Sequence, residues 1–199
     1  DGVDVAYYLV HSMERAGRES FAAREERGAR TFADAAVRAG VGRIVYLGGI
    51  VPSGPISAHM ASRLRVEELL LEAVPASAAI RASVVIAARS RSFRLLVRLV
   101  ERLPVIPMPP WTRHRTQPVD GRDAIEVLAR AATDPRLAGR SLDVAGPEVL
   151  TWGEMLEHIR DLLLLGRPPV ALPVAPTSVS SRVAAAIAGE DPGLIEPLM

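Results

Sequence analysis

The chain has 199 residues, of which 49% are hydrophobic, and its 24 basic and 23 acidic side chains leave a net charge of +1. The length suits one soluble globular domain, and the longest apolar runs fall well short of a membrane span. No cysteine is present, which excludes disulfides, thiolate catalysis and cysteine zinc sites and fits a reducing cytoplasm.

In chain order, residues 4–10 predict a strand and residues 19–39 a helix with Phe21, Gly28, Ala29, Phe32, Ala36 and Ala39 on one face. That helix closes on Ala39-Gly40-Val41-Gly42, and Arg43-Ile44-Val45-Tyr46-Leu47 follows as a strand that ends on Gly48 and Gly49. A helix, a glycine turn and a short β-branched run is how a parallel strand buried on both faces enters an α/β sheet. In such a sheet the ligand crevice lies outside the carboxyl ends of the strands. Two glycines there let a flat ring or a ribose approach the backbone.

Residues 57–73 predict a helix, residues 79–86 a strand, and residues 90–103 a helix with Phe93, Leu96, Val97, Val100 and Leu103 at helical spacing. Strands alternating with helices, without hairpin signals, predict parallel βαβ units with right-handed crossovers. Four prolines between positions 104 and 110 predict a rigid connector rather than a helix or central strand. Asp123 with Glu126 and Thr151 with Glu154 have capping-box spacing, so each pair is expected to start a helix. Residues 142–144 predict a late strand turned by Gly146-Pro147. The helix from Thr151 is expected to bury Trp152, Met155, Leu156, Ile159 and Leu163, and the tail from Arg167 is rich in proline and alanine.

All 24 basic residues are arginine. The chain therefore supplies no Schiff-base lysine and no phosphate-loop lysine. The histidines at 11, 59, 114 and 158 have no metal-ligand spacing, so no metal is expected. No basic stripe carries interleaved aromatics, so no nucleic-acid partner is expected. Arg113, His114, Arg115 and Gln117 crowd one connector, where they either hold an anionic substrate or form a solvated loop.

Several segments in order, Gly2-Val3-Asp4-Val5-Ala6-Tyr7-Tyr8-Leu9-Val10-His11-Ser12, residues 39–49, residues 57–67 and Arg81-Ala82-Ser83-Val84-Val85-Ile86, resemble the atypical short-chain dehydrogenase/reductase superfamily, most closely its NmrA-like, NAD(P)H-binding branch. Thr116-Gln117-Pro118-Val119 with Arg122-Asp123, and Asp143-Val144-Ala145-Gly146-Pro147, continue the resemblance. It implies a Rossmann-like, doubly wound parallel α/β sheet that binds NAD or NADP. The glycine-rich phosphate fingerprint and the residue that selects between the two cofactors are absent from these 199 residues. The resemblance thus implies a fragment that lacks its first βαβαβ half, residues 1–165 being the later part of the cofactor domain and residues 166–199 part of a small C-terminal substrate lobe.

Typical members of that superfamily use a tyrosine acid, a lysine four residues later and a serine on the preceding strand. The matching positions here are His59, Arg63 and Gly48 or Gly49, so the triad is not present. The four-residue spacing puts His59 and Arg63 on one helix face, and the arginine charge favours a neutral imidazole able to exchange a proton near pH 7. Alternatively, Arg63 pairs with Glu67 and His59 is a surface residue, or Arg63 holds the nicotinamide ribose or a phosphate. The resemblance assigns cofactor contacts to Leu9, Val10 and His11, to Leu47, Gly48, Gly49 and Arg63, and to Ala82 and Ser83, with a backbone-bonded hydroxyl the competing reading for Ser83. The implied activity is hydride transfer to a small carbonyl, quinone or similar acceptor, or epimerase-like chemistry. The alternative is a non-catalytic NAD(P)H sensor acting through a protein partner or homo-oligomer, and neither reading involves a membrane.

Overall fold

The computed structural model describes residues 2–10 and 20–172. In chain order they form β1 (Val5–Tyr8), α1 (Phe21–Arg38), β2 (Arg43–Gly49), α2 (Ala58–Ala73), β3 (Ala78–Ala82), β4 (Val85–Ile86), α3 (Arg91–Arg102), β5 (Ile106–Met108), β6 (Arg115–Thr116), β7 (Val119–Asp120), α4 (Gly121–Ala131), β8 (Arg140–Val144), β9 (Leu150–Thr151), α5 (Trp152–Leu162) and β10 (Pro169–Ala171). No helix among them is long and apolar enough to cross a membrane. The chain divides into two compact units that interleave in sequence: residues up to Ser83 with Gly121–Ala145, and Val84–Asp120 with the described residues from Gly146 onward. The expectation from sequence placed a single boundary after residue 165.

The first unit is a four-stranded parallel sheet in the order β1-β2-β3-β8. Serines start its first two helices: Ser20 Oγ accepts from the Ala23 N–H, and Ser57 Oγ from the Met60 N–H. α1 ends where Gly40, at φ +69°, lets the Gly40 and Val41 N–H groups reach back to the carbonyls of Val37 and Ala36. Because side chains alternate along a strand, β1, β2 and β3 each contribute to two cores. Ala6, Tyr8, Ile44, Tyr46 and Ala79 face α1 and α2, where Ala29, Ala33, Ala36, Val66 and Leu70 are buried. Val5, Val45, Leu47, Ala78, Ile80 and Val144 face α4 with Val127, Leu128 and Ala131. Helices thus cover both faces of the sheet.

Three expectations change in this unit. The buried face of α1 is Glu25, Ala29, Ala33 and Ala36 rather than the stripe through Gly28 and Ala39, which are exposed. α4 begins at Gly121, so Asp123 lies inside the first turn, facing the helix dipole, and does not cap it. Uniform right-handed crossovers also fail. All four strands are added in one direction, yet α1 and α2 lie on one face and α4 on the other, which gives the β3-to-β8 connection the opposite hand. That connection leaves for the second unit and returns through α4.

In the second unit, β4 pairs with β7 and β5 with β10, both parallel, while β6 pairs antiparallel with β9. The predicted strand over 79–86 is therefore two strands in two units, broken at Ser83-Val84. The proline segment forms β5, a member of a two-stranded ribbon in which Pro107 needs no donor to a second neighbour. α3 packs on α5 around Leu96, Val100, Ile106, Met155, Leu156 and Ile159. α3 buries Leu95 and Leu99 beside Leu96 and Val100, a wider face than the single predicted stripe. The Thr151–Glu154 capping box forms in full, whereas Leu163 stays exposed past the end of α5. Arg167 donates to the carbonyls of Leu103 and Glu101, capping the end of α3.

Candidate functional site

The parallel registers bring the strands of the first unit to a common carboxyl edge. Gly49, Ala82 and Val144 lie in one row across β2, β3 and β8, and the Ser83 N–H extends it by donating to the Val144 carbonyl at 3.1 Å. Beyond β1, Leu9 and Val10 are 48% and 64% exposed. α2 starts at the same edge: a Cβ built on Gly49 would lie 3.3 Å from the Met60 methyl.

His59, in the first turn of α2, is half-buried, with the Phe21 ring of α1 at 5.1 Å centroid distance. The Arg63 Nε–H donates to His59 Nε2 at 3.1 Å. Burial, and then the charge of Arg63, push the imidazole pKa down to about 4, so the ring is neutral at physiological pH. The Tyr46 hydroxyl donates to the Arg63 carbonyl at 3.3 Å, and burial pushes its pKa upward. The expected i, i+4 contact is therefore present between His59 and Arg63.

Glu67, one turn further along the same helix, is engaged from the sheet. Arg81 on β3 grips both of its oxygens at 2.7 and 3.0 Å, and the Ser141 hydroxyl on β8 donates to it at 2.5 Å. Asp143 lies 4.0 Å from Arg81 on its outer side. A second buried polar contact ties the helices, with Ser62 Oγ donating to Glu25 at 2.8 Å. Neither contact was legible in the sequence, because the partners are distant and belong to different elements. The one available signal was that Glu25 interrupts an otherwise small and apolar face of α1.

The two glycines separate. Gly48 is buried, and a Cβ there would lie 3.0 Å from the Tyr46 ring and 3.7 Å from Glu67, so its missing side chain serves internal packing. Gly49 stands at the edge against a flexible methionine end. Leu47 packs in the core beneath α4 and Ala82 is buried, so what either offers the edge is backbone. His11 lies outside the described residues. Arg113, His114 and Arg115 are exposed in the second unit, and Gln117 Nε2 donates to the Gly146 carbonyl at 2.6 Å.

A dinucleotide needs both an open strand edge and a cradle for its pyrophosphate. Gly49, Ser83 and the exposed Leu9–Val10 pair stand at that edge. The described residues contain no glycine-rich turn before a helix, so the phosphate half has no cradle among them.

No protein-family model matches the sequence, and no curated protein sequence matches it. Solved structures do. The chain superposes on DesIV, a dTDP-glucose 4,6-dehydratase from Streptomyces venezuelae with NAD bound, with a TM-score of 0.67 and 18% identity, over 100% of this chain and 77% of that one. It superposes on TunA, an NAD-dependent NDP-hexosamine 5,6-dehydratase, with a TM-score of 0.66 and 15% identity, over 95% and 72%. A short-chain dehydrogenase/reductase superfamily protein from Agrobacterium tumefaciens with bound NAD gives 0.62 and 18%, over 86% and 68%. At these identities the likeness establishes the fold, a Rossmann-like α/β architecture.

Proposed function

We propose that the chain is the later part of an NAD(P)-binding, atypical short-chain dehydrogenase/reductase of the NmrA-like kind, acting as an oxidoreductase on a small carbonyl, quinone or similar acceptor, or as an epimerase-like enzyme. The observation that carries the reading is the neutral His59, held by Arg63 in the first turn of α2, whose Met60 packs against Gly49 at the strand edge. The NAD-bound neighbours support the cofactor class. When bound, the cofactor supplies hydride chemistry. The chain's own contribution is to receive the ring and ribose end on the backbone of Leu9, Val10, Gly49 and Ser83 and to present His59 to the ligand.

Among the described residues β1 is an edge strand with Tyr7, Leu9 and Val10 exposed, which supports the further proposal that additional parallel strands complete the sheet and carry the phosphate cradle. Isothermal titration with NADH and NADPH tests the reading. The 199-residue chain is expected to bind neither or to bind weakly, and the protein extended upstream to bind one of them. Micromolar binding by the 199 residues alone would place the main phosphate site within them and refute the upstream cradle. A second reading, an NAD(P)H sensor acting through a protein partner, is favoured by Gly48 and Gly49 standing where a catalytic serine is expected. It predicts cofactor binding without turnover on any carbonyl or quinone.

A further inference from the structure

The pair at the start of α2 has a chemistry that differs from the tyrosine and lysine it replaces. We propose that Arg63 and His59 form one hydrogen-bonding device, in which the guanidinium fills imidazole Nε2 and leaves Nδ1–H as a neutral donor to a ligand carbonyl oxygen, so that His59 orients and polarises that oxygen while the proton it takes on reduction comes from water. This rests on the reading of the chain as a carbonyl-handling enzyme.

Arginine has five donors and no acceptor, so the 3.1 Å contact from Arg63 Nε requires His59 Nε2 to be the accepting nitrogen. In a neutral ring the single proton must then sit on Nδ1. Three features keep the ring neutral. It is half-buried, it has a permanent positive charge against one nitrogen, and it lies in the first turn of a helix, where the dipole opposes a cation. The Phe21 ring beside the imidazole adds apolar surroundings and no acceptor, and the Tyr46 hydroxyl is turned to the Arg63 carbonyl. A cation polarising Nε2 strengthens the donor on the far side of the ring. A neutral imidazole held in this way is an electrophile toward a carbonyl oxygen, a role histidine takes when its surroundings exclude the imidazolium. The preferred ligand group is therefore an acceptor oxygen, as in a ketone, aldehyde or quinone.

The test joins spectroscopy to side-chain replacement in the full-length protein. Nitrogen-15 NMR of labelled histidine, assigned by loss of the signal in His59→Asn, is expected to show the Nδ1–H tautomer, with no protonation of His59 from about pH 8 to about pH 5. In Arg63→Met the Nε2–H form should appear and the pKa should rise. Arg63→Lys serves the same comparison if the methionine variant does not fold. An Nε2–H tautomer in the unmodified protein, or an imidazolium above about pH 6, overturns the proposal. Addition of cyclohexanone, a carbonyl acceptor with no N–H or O–H donor, should move the Nδ1–H resonance downfield, and an unmoved resonance overturns the donor role.

Turnover gives a second reading, because asparagine places an N–H close to the position of imidazole Nδ1 but cannot act as an acid. His59→Ala should lose roughly 100-fold and His59→Asn under about 10-fold, whereas equal losses would identify His59 as the proton donor and overturn the proposal. If the tautomer and the ketone response appear but no carbonyl compound is reduced by any form, the device stands and the oxidoreductase reading falls.

Discussion

Gly48 and Gly49 are neighbours in sequence and opposites in surroundings. A Cβ on Gly48 would meet the Tyr46 ring at 3.0 Å, within a packed interior that also holds Glu67, whereas one on Gly49 would meet the end of a flexible methionine at 3.3 Å. Gly48→Val is therefore expected to destabilise the protein by roughly 1–3 kcal/mol through overpacking, and Gly49→Ala to change stability by under about 0.5 kcal/mol. Urea denaturation of both variants checks this, and a Gly48→Val protein as stable as the parent would contradict the packing. His59 makes a pH-dependent contribution of known sign. Its pKa is about 4 in the folded protein against roughly 6.5 for a free histidine. Between those values the unfolded chain binds more protons, so stability rises with pH across that window, is fully present above it and is lost as the pH falls toward 4. Urea midpoints at about pH 4.5 and about pH 7.5 should differ less in His59→Asn than in the parent. An unchanged difference would remove His59 from the acid sensitivity.

The two Schellman-type helix ends of α1 and α5 show what a terminal residue costs an element. α1 ends on Gly40, which takes its left-handed φ of +69° without steric penalty. After α5 the same backbone pattern recurs, with the Leu164 N–H reaching the Asp161 carbonyl and the Leu165 N–H the Arg160 carbonyl, but Leu164 occupies the left-handed position at φ 55° and is 91% exposed. Leu164→Gly should thus stabilise the protein by up to about 1 kcal/mol, by removing strain that a side chain suffers there and without losing buried surface. A thermal melt decides the sign. At the other end of α5, Thr151→Ala removes the side chain that accepts the Glu154 N–H and should cost roughly 1 kcal/mol. A melt unchanged by Thr151→Ala would mean that the helix start is held by packing alone.

At the scale of the molecule, strand order limits what the chain can bind. The sheet runs β1-β2-β3-β8 without reversal, so the described residues do not form the switch point at which an open parallel sheet opens a crevice between diverging helices. The described residues hold no glycine-rich turn before a helix, the feature that cradles a dinucleotide's pyrophosphate. The titration proposed above tests whether these 199 residues suffice for dinucleotide binding. Micromolar affinity for NADH or NADPH corresponds to about 8 kcal/mol of binding free energy, which the backbone of one strand edge without a helix-terminus phosphate site is not expected to supply.

The long helices and the strands of the four-stranded sheet were legible in the sequence, because periodicity, caps and glycine stops are local, whereas the short strands β5, β6, β7, β9 and β10 carry too few residues to show a pattern. Ser57 capped α2, Gly40 closed α1, the Thr151–Glu154 box formed, and the i, i+4 spacing brought Arg63 onto His59. Tertiary structure decided what depends on partners distant in the chain. The predicted strand over 79–86 split at Ser83 because each half found a different neighbour, Val144 on one side and Val119 on the other. Glu67 went to Arg81 and Ser141 on two strands rather than to a neighbour on its own helix, since a buried carboxylate takes the donors that the sheet brings to it. Gly48 became a packing position only once the ring of Tyr46 lay against it. Burial held His59 well below its ordinary pKa, a shift that no spacing of residues along one helix determines, because it depends on how much water the fold removes from the ring.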